Sequence, residues 1–334
     1  MKKIAILLAA AMTAVSLYGC GAAQTGGNTA GEEITIAIVQ PMTHSSLDQI
    51  RDTIIGELEN SGRNIKIETG NANGDTSALS TILSNDKAEG VDLVVPIATS
   101  TAQSAKAVYE GTDTPIIFAA VSDPAAAGLA GDDGSNITGV SNNIPAAEIV
   151  KLVEQFQPEF QKIGFLYTSS ETNSVSTITA AKEYCDENGI AYEEATIANL
   201  SELQTAAMTL VSKGVDAFYT GNDNTIASAM STYTDVAYGN QIPVYCGADS
   251  MVADGGFATV GVDYVQLGKQ VAAMILKVLD GTAPQDLPYE TLAEYAKYIN
   301  LQAADTLGME LTDEMTTGFD VLVEKDGTSH FGEE

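Results

Sequence analysis

The chain has 334 residues, of which 45% are hydrophobic, and a formal net charge of −30 at pH 7. A chain of this length and composition buries a substantial core and is expected to form about two domains. A surface this acidic repels nucleic acid and anionic lipid headgroups, so neither is expected as a partner.

The first 19 residues have the layout of a secretory signal peptide, which would be removed on export. Lys2 and Lys3 precede an apolar run at residues 4–17, which is short for a membrane span. Cys20 follows a small residue at the expected cleavage point, as in bacterial lipoproteins, and is predicted to carry the lipid. The alternatives are an ordinary signal peptide with a chance cysteine, or an uncleaved anchor.

Residues 20–33 contain no large apolar side chain, so they are predicted to be a lipid anchor followed by a flexible tether. No later stretch has 18 consecutive apolar residues. Membrane attachment is therefore expected only through the lipid, which places the protein outside the cytoplasm at the bacterial cell membrane.

Short apolar runs alternate with helical patterns along the rest of the chain. Strands are predicted at residues 34–39, 65–69, 92–97, 115–121, 162–167, 191–197, 216–221 and 243–248. Helices are predicted at residues 46–60, 76–89, 101–110, 174–188 and 200–213. This alternation is typical of βαβ units and predicts an α/β fold with doubly wound, parallel sheets.

The second half of the chain repeats the first. Residues 93–105 align without gaps with residues 217–229, an offset of 124 residues, and residues 114–122 align with residues 242–250. The repeat predicts two Rossmann-like lobes, each with its own sheet. Chance similarity between two βαβ units is the alternative.

Three hinge crossings are expected between the lobes. The strand and helix at residues 257–281 are expected to return to the first lobe, and the segment after residue 294 to the second. The predicted N-terminal lobe is residues 34–143 plus 259–294, and the predicted C-terminal lobe is residues 144–258 plus 295–334.

Polar side chains gather at the carboxyl ends of the predicted strands, where ligands bind in open α/β sheets. The candidates are Gln40, His44, Thr99, Ser100, Ser122 and Asp123 in the first lobe, and Tyr167, Asn173, Ser174, Asp223, Asn224 and Asp249 in the second. Any one of them is equally well an ordinary helix cap. Two polar rims that face each other nevertheless predict a ligand cleft.

The chemistry of the rims suits a zwitterion such as an amino acid. Residues 99–101 precede a helix, and the amides of a helix N-terminus bind carboxylates. Asp123, Asp223 and Asp249 supply carboxylates that can bind an ammonium group. The chain has no Trp on which a sugar would stack. An Asp223→Ala change is expected to weaken binding strongly and to leave the melt of the empty protein near normal.

The motifs of an enzyme are missing from the sequence. It has only two histidines, His44 and His330, and lacks a nucleophile elbow, a His/Cys metal motif and a Gly-rich phosphate loop. We therefore expect no catalysis, no metal and no cofactor. Cys185 and Cys246 match no metal spacing and are expected to be free buried thiols, with a disulfide as the alternative.

Several segments resemble the type I periplasmic binding proteins, and among them the substrate-binding components of tryptophan/tyrosine ABC transporters. The segments cover nearly all of the chain after the tether and are residues 38–40 with His44, and residues 47–52, 97–103, 121–124, 173–176, 223–225 and 258–268. The resemblance implies two lobes that close on an amino acid, aromatic in particular, and deliver it to a membrane permease. It also implies that Thr99, Ser100, Asp123, Asn173, Ser174, Asp223 and Asn224 line the site, although Ser100 stands where the family often has proline.

Two alternatives remain open at this point. The same fold could bind a nucleoside or another small metabolite, or the lipoprotein could report its ligand to a membrane receptor without transport. A monomer is expected, because no long apolar amphipathic surface stands out.

Overall fold

The computed structural model describes residues 33–130, 135–292 and 295–332. The predicted signal peptide, Cys20 and the tether up to residue 32 lie outside these ranges. No helix within the described ranges has the length and apolar character needed to cross a membrane.

The elements alternate between strands and helices over most of the described chain. The strands are β1 Ile34–Gln40, β2 Ile65–Asn71, β3 Leu93–Pro96, β4 Ile116–Ala119, β5 Ile137–Ser141, β6 Lys162–Thr168, β7 Ala191–Ile197, β8 Ala217–Thr220, β9 Val244–Cys246, β10 Ala258–Gly261, β11 Glu290–Thr291, β12 Ala296–Asn300 and β13 Asp320–Val323. The α-helices are α1 Ser45–Asn60, α2 Thr76–Glu89, α3 Thr99–Val108, α4 Ala146–Phe156, α5 Thr172–Asn188, α6 Leu203–Ser212, α7 Asn224–Ala227, α8 Met230–Gly239, α9 Asp249–Ala253, α10 Tyr264–Leu279, α11 Leu301–Thr306 and α12 Asp313–Thr316.

These strands form two sheets. The first has the order β11-β5-β4-β3-β1-β2, and its strand pairs are parallel. The second has the order β13-β12-β10-β9-β8-β6-β7 and is parallel apart from the β10–β12 pair. In each sheet the strand order reverses direction next to the first strand of the lobe, as in doubly wound folds. The predicted fold class is confirmed.

Burial on both faces explains why the central strands are apolar without interruption. In β1, Ile36 and Ile38 pack in the cluster that contains residues of α1 and α10. Ala37 and Val39, which point the other way, pack with residues of α2 and α3. Helices therefore cover both faces of the first sheet, and its polar groups are left at the ends of the strands.

One strand lies in a different lobe from the one predicted. Residues 257–281 were expected to lie in the first lobe as a unit, but β10 pairs with β9 and β12 in the second sheet. Only α10 returns, and it packs so closely on α1 that a Cβ atom on Gly268 would lie 2.7 Å from Cβ of Thr53. The chain therefore crosses between Gly261 and Tyr264. A short apolar run predicts a strand, but it carries no information about which sheet the strand joins.

The two cysteines of the described chain are free and buried. Cys185 lies on α5 and Cys246 ends β9, so they belong to different elements of the second lobe. Burial raises the pKa of both thiols, that of Cys185 to about 12. The expectation of free buried thiols is confirmed, and neither thiol is a reactive thiolate at neutral pH.

Candidate functional site

A cavity lies between the two lobes. Six of the twelve side chains predicted to contact a ligand line it, namely His44, Thr99, Ser122, Asn173, Asp223 and Asn224. They come from loops and helix starts that follow β1, β3, β4, β6 and β8.

Side chains of the two lobes bond to each other directly around this cavity. Ser176 Oγ donates to Asp123 Oδ2 at 2.8 Å, and Ser45 Oγ donates to Asp254 Oδ2 at 3.3 Å. The hydroxyls of Ser46 and Ser250 also share a hydrogen bond. The lobes are therefore closed on each other in this structure.

The N-terminus of α3 opens onto the cavity without a side-chain cap. Its N-cap residue is Ala98, whose methyl side chain cannot accept a hydrogen bond from the first turn. Ala98 also has φ 72° and ψ 159°, a conformation that is sparsely populated by residues other than glycine. Such strain clusters at functional sites, and here it directs an uncapped, partially positive helix end towards the cavity.

Three polar atoms of the cavity lining have no hydrogen-bond partner within the described chain. They are Nδ1 of His44, Oγ1 of Thr99 and Oδ1 of Asn222, and all three are buried. Asn222 donates its Nδ2 to the carbonyl oxygen of Asn142 at 3.4 Å, which leaves its oxygen as the free end. Because buried polar groups are nearly always hydrogen-bonded, these atoms indicate a polar ligand.

Asp223 lines the cavity, but its carboxylate accepts hydrogen bonds from residues of its own lobe. Thr168 donates to it from its amide at 2.6 Å and from its hydroxyl at 2.9 Å. The hydroxyl of Ser174 and the amide of Ile226 also donate, each at 2.9 Å. Burial and the nearby Glu171 raise its pKa to about 7 against the lowering effect of these donors. With four donors on two oxygens, Asp223 holds β6, α5 and α7 together.

Glu171 organises the second rim, and the sequence analysis did not select it. Its carboxylate accepts from the amides of Asn224 and Thr225 at 3.0 and 2.9 Å. It also accepts from Nδ2 of Asn224 at 2.7 Å and from Oγ1 of Thr225 at 2.7 Å. Glu171 therefore caps the start of α7 and fixes the orientation of the Asn224 side chain.

Three predicted contacts are structural and lie outside the cavity lining. Gln40 bridges Asp48 and Arg51 on α1, at 2.9 and 3.2 Å. Ser174 donates its hydroxyl to Asp223. Tyr167 donates its hydroxyl to Glu194 at 3.2 Å, towards the neighbouring strand β7.

The other three also lie away from the cavity. Ser100 faces a separate groove at the mouth of the cleft. Asp123 accepts from Ser176 across the lobes and from the amide of Ala126 at 2.9 Å, so both its oxygens are bonded. Asp249 faces a second cavity beside the hinge, where it accepts from the amide of Ser250 at 2.6 Å.

Asp249 is nearly fully buried, and burial raises its pKa to about 7. Folding raises the pKa of this carboxyl above its value of about 4 in the unfolded chain. The resulting stabilisation is fully present at pH values below about 4 and is lost as the pH rises through about 7. We therefore expect the empty protein to lose stability from about pH 5 to about pH 8. Asp249→Asn, which keeps the acceptor for Ser250, should reduce that loss by about 1–3 kcal/mol. Unfolding free energies at both pH values measure the effect, and equal slopes for the two proteins would refute it.

Ten further lining residues were not among the predicted contacts, and they are the four alanines Ala98, Ala120, Ala227 and Ala248 together with Ser46, Leu47, Asn142, Asn222, Met251 and Tyr264. Asn222 lies in a rim segment that the strand ends had located, and only its free oxygen distinguishes it from its neighbours. Asn142 and Tyr264 lie where the chain crosses between lobes, and Nδ2 of Asn142 donates to the Tyr264 hydroxyl at 3.4 Å. A sequence does not reveal that hinge residues face the ligand, because this depends on how the lobes close.

Two Rossmann-like lobes, closed over a cavity with unpaired polar atoms, define a protein that captures a small molecule by moving its lobes together. The described ranges contain no group of three or more His, Cys, Asp and Glu side chains that could hold a metal ion. The chain belongs to the family of ABC transporter substrate-binding proteins, whose family model matches residues 35–320. Members of this family bind a substrate and are not catalysts, and the resemblance found in the sequence is confirmed.

Two relatives show how much of the chain is shared. A tyrosine-binding protein of Clostridioides difficile (strain R20291) is 33% identical over an alignment of 326 positions, which covers 92% of this chain and 93% of the relative. The structure of an ABC domain from Streptococcus pneumonia in complex with L-Trp is 33% identical and has a TM-score of 0.82, covering 87% of this chain and 99% of the other.

A third relative differs in how its lobes are arranged. The ligand-free, open structure of a substrate-binding protein with adhesive properties from Clostridium difficile is 32% identical, covers 86% of this chain and 98% of the other, and has a TM-score of 0.65. At nearly equal identity, this chain superposes better on the L-Trp complex. The closed arrangement indicated by the hydrogen bonds between the lobes agrees with this difference.

Proposed function

We propose that the protein is the extracytoplasmic, lipid-anchored binding subunit of an ABC importer and that it captures an aromatic amino acid between its lobes. The observation that carries the proposal is the set of unpaired polar groups in the cavity. They comprise a helix end suited to an anion and acceptor atoms suited to an ammonium group.

The α-carboxylate is assigned to the start of α3. The first amides of a helix have no acceptor within the helix, and Ala98 supplies none. The Thr99 hydroxyl, buried and unpaired beside them, adds a donor. Together with the positive end of the helix dipole, these groups favour a carboxylate.

The α-ammonium group is assigned to the second lobe. Oδ1 of Asn222 is an acceptor without a partner in the described chain. The buried carboxylate of the neighbouring Asp223 contributes a negative field when it is ionised, although its lone pairs are already used. This differs from the expectation that a carboxylate binds the ammonium group directly.

The aromatic side chain is assigned to the apolar part of the lining, formed by Leu47 and Met251 with the ring of Tyr264. A thioether and a phenol ring both make favourable contacts with an aromatic ring. The named ligands of two relatives, tyrosine and L-Trp, support this choice.

Binding is tested by thermal unfolding of the chain that begins after Cys20, which retains every described residue, against the twenty amino acids and several nucleosides. A ligand at a hundred times its dissociation constant adds about 2.7 kcal/mol of stability. We expect a clear upward shift with tyrosine or tryptophan, and little shift with charged amino acids. A shift with nucleosides alone would keep the fold and refute the proposed substrate.

Anchoring and transport are tested in cells of the source bacterium. We expect the full chain to fractionate with membranes and Cys20→Ser to be released, because the proposed attachment is through the lipid on Cys20. Loss of the protein should abolish high-affinity uptake of the ligand through a permease. Unchanged uptake with a lost transcriptional response would instead identify a sensor.

A further inference from the structure

The Asn224 side chain has a single possible orientation. One end of its amide lies 2.7 Å from a carboxylate oxygen of Glu171. An ionised carboxylate only accepts hydrogen bonds, so the end that faces Glu171 must be the NH₂ group. The carbonyl oxygen of Asn224 therefore points the other way, across the cleft towards the first lobe.

That orientation fixes the protonation of His44. Nε2 of His44 lies 3.2 Å from Oδ1 of Asn224. Because Oδ1 can only accept, Nε2 must carry the proton. Burial lowers the pKa of His44, so the ring is neutral at pH 7 and its other nitrogen, Nδ1, is unprotonated.

Nδ1 of His44 is consequently a lone pair on a side chain that lines the ligand cavity. It is buried and has no partner within the described chain. We propose that His44 is a specificity-determining residue, whose Nδ1 accepts a hydrogen bond from an N–H or O–H group of the ligand and whose protonation disfavours binding. This inference rests on the proposed function, because it concerns the same cavity.

The charges around His44 come from both lobes. Asp48 lies on α1 and is paired with Arg51 at 2.6 Å, and the second lobe contributes Glu171. The acidic groups favour the protonated ring, and burial opposes them more strongly. Protonation would turn Nδ1 into a donor, which then faces the donor of the ligand. Affinity is therefore expected to fall by about tenfold per pH unit once the pH is below the pKa of His44 in the ligand-free protein.

The ligand donor has two possible sources, the α-ammonium group and the side chain of tyrosine or tryptophan. L-phenylalanine keeps the first and lacks the second, whereas 3-indolepropionate keeps the indole N–H and lacks the ammonium group. His44→Leu removes the acceptor and should weaken L-tryptophan binding by about ten- to a hundredfold at neutral pH. If the ring donates, phenylalanine affinity is unaffected by the change. If the ammonium group donates, phenylalanine loses as much as tryptophan.

The decisive comparison is the pH profile of L-tryptophan affinity, measured by calorimetry from about pH 8 to about pH 5. The wild type should lose more affinity at acid pH than His44→Asn, which offers an amide oxygen near the position of Nδ1 and does not titrate. The loss that remains in the variant is that due to protonation of Asp223, whose pKa is about 7. His330→Gln changes the other histidine of the chain and is the matched control. Parallel profiles for the wild type and His44→Asn, or an unchanged affinity in His44→Leu, would overturn the proposal.

The tautomer is measured independently of any ligand. With two histidines in the chain, the ¹⁵N chemical shifts of the His44 ring can be assigned by comparison with His330→Gln. We expect Nε2 to carry the proton and Nδ1 to be unprotonated. A proton on Nδ1 would overturn the inference, whereas a wild type that binds no aromatic amino acid would contradict the proposed function.

Discussion

Asp223→Ala is expected to destabilise the empty protein by about 3–5 kcal/mol. The change removes the acceptor of four hydrogen bonds and leaves the amides of Thr168 and Ile226 buried without a partner. Each unsatisfied buried donor costs about 1–3 kcal/mol. Urea unfolding of the empty protein measures the loss.

A second acidic residue of the rim provides the control. Asp123 is only partly buried, and its substitution by alanine should cost about 1 kcal/mol. From the sequence alone, Asp223→Ala is expected to weaken binding and to leave a normal melt. A normal melt for Asp223→Ala would restore that view and show that its four hydrogen bonds contribute little to stability.

Thr99→Val is expected to weaken binding of the amino acid by about 1.5–3 kcal/mol without destabilising the empty protein. The Thr99 hydroxyl is buried and unpaired in the described chain, so removing it leaves no group of the protein unsatisfied. Valine has nearly the same shape as threonine, so the packing around residue 99 should not change. Calorimetric titration with L-tryptophan and a thermal melt of the empty protein measure the two quantities.

Thr101→Val is the matched control on the same helix. Its hydroxyl is also buried without a partner, but Thr101 does not line the cavity. This variant should keep both affinity and stability. Equal affinities for Thr99→Val and the wild type would remove the hydroxyl from the carboxylate site and leave only the amides of α3.

The fold was predictable because its main determinants are local. Apolar strands buried on both faces and helices of regular length recur along the chain, and the repeat at residues 93–105 and 217–229 falls on equivalent strands, β3 and β8, each paired with the first strand of its lobe. The sheet joined by β10 was not predictable, because pairing across the hinge depends on contacts distant in sequence.

The positions of the two polar rims could be predicted from the sequence, but the individual atoms that face the cavity could not. The predicted strand ended at Tyr167, but β6 continues to Thr168. Since successive side chains of a strand alternate in direction, this shift of one residue gives the rim position to Thr168 and turns Tyr167 away. Arg51 donates to the side-chain amide oxygen of Gln40, and residues of the second lobe donate to the Asp223 carboxylate. These contacts likewise depend on how the helices pack, so the sequence alone does not predict them.

The hydrogen bonds that join the lobes outside the cavity separate affinity from selectivity. The bond from Ser176 to Asp123 forms between protein groups only, so it contributes the same free energy to closure around every ligand. The observed affinity is the intrinsic affinity of the closed form scaled by how readily the protein closes. Substitutions at such contacts would therefore multiply all dissociation constants by one common factor. Overall affinity can thus be changed without any change in which ligand the protein prefers.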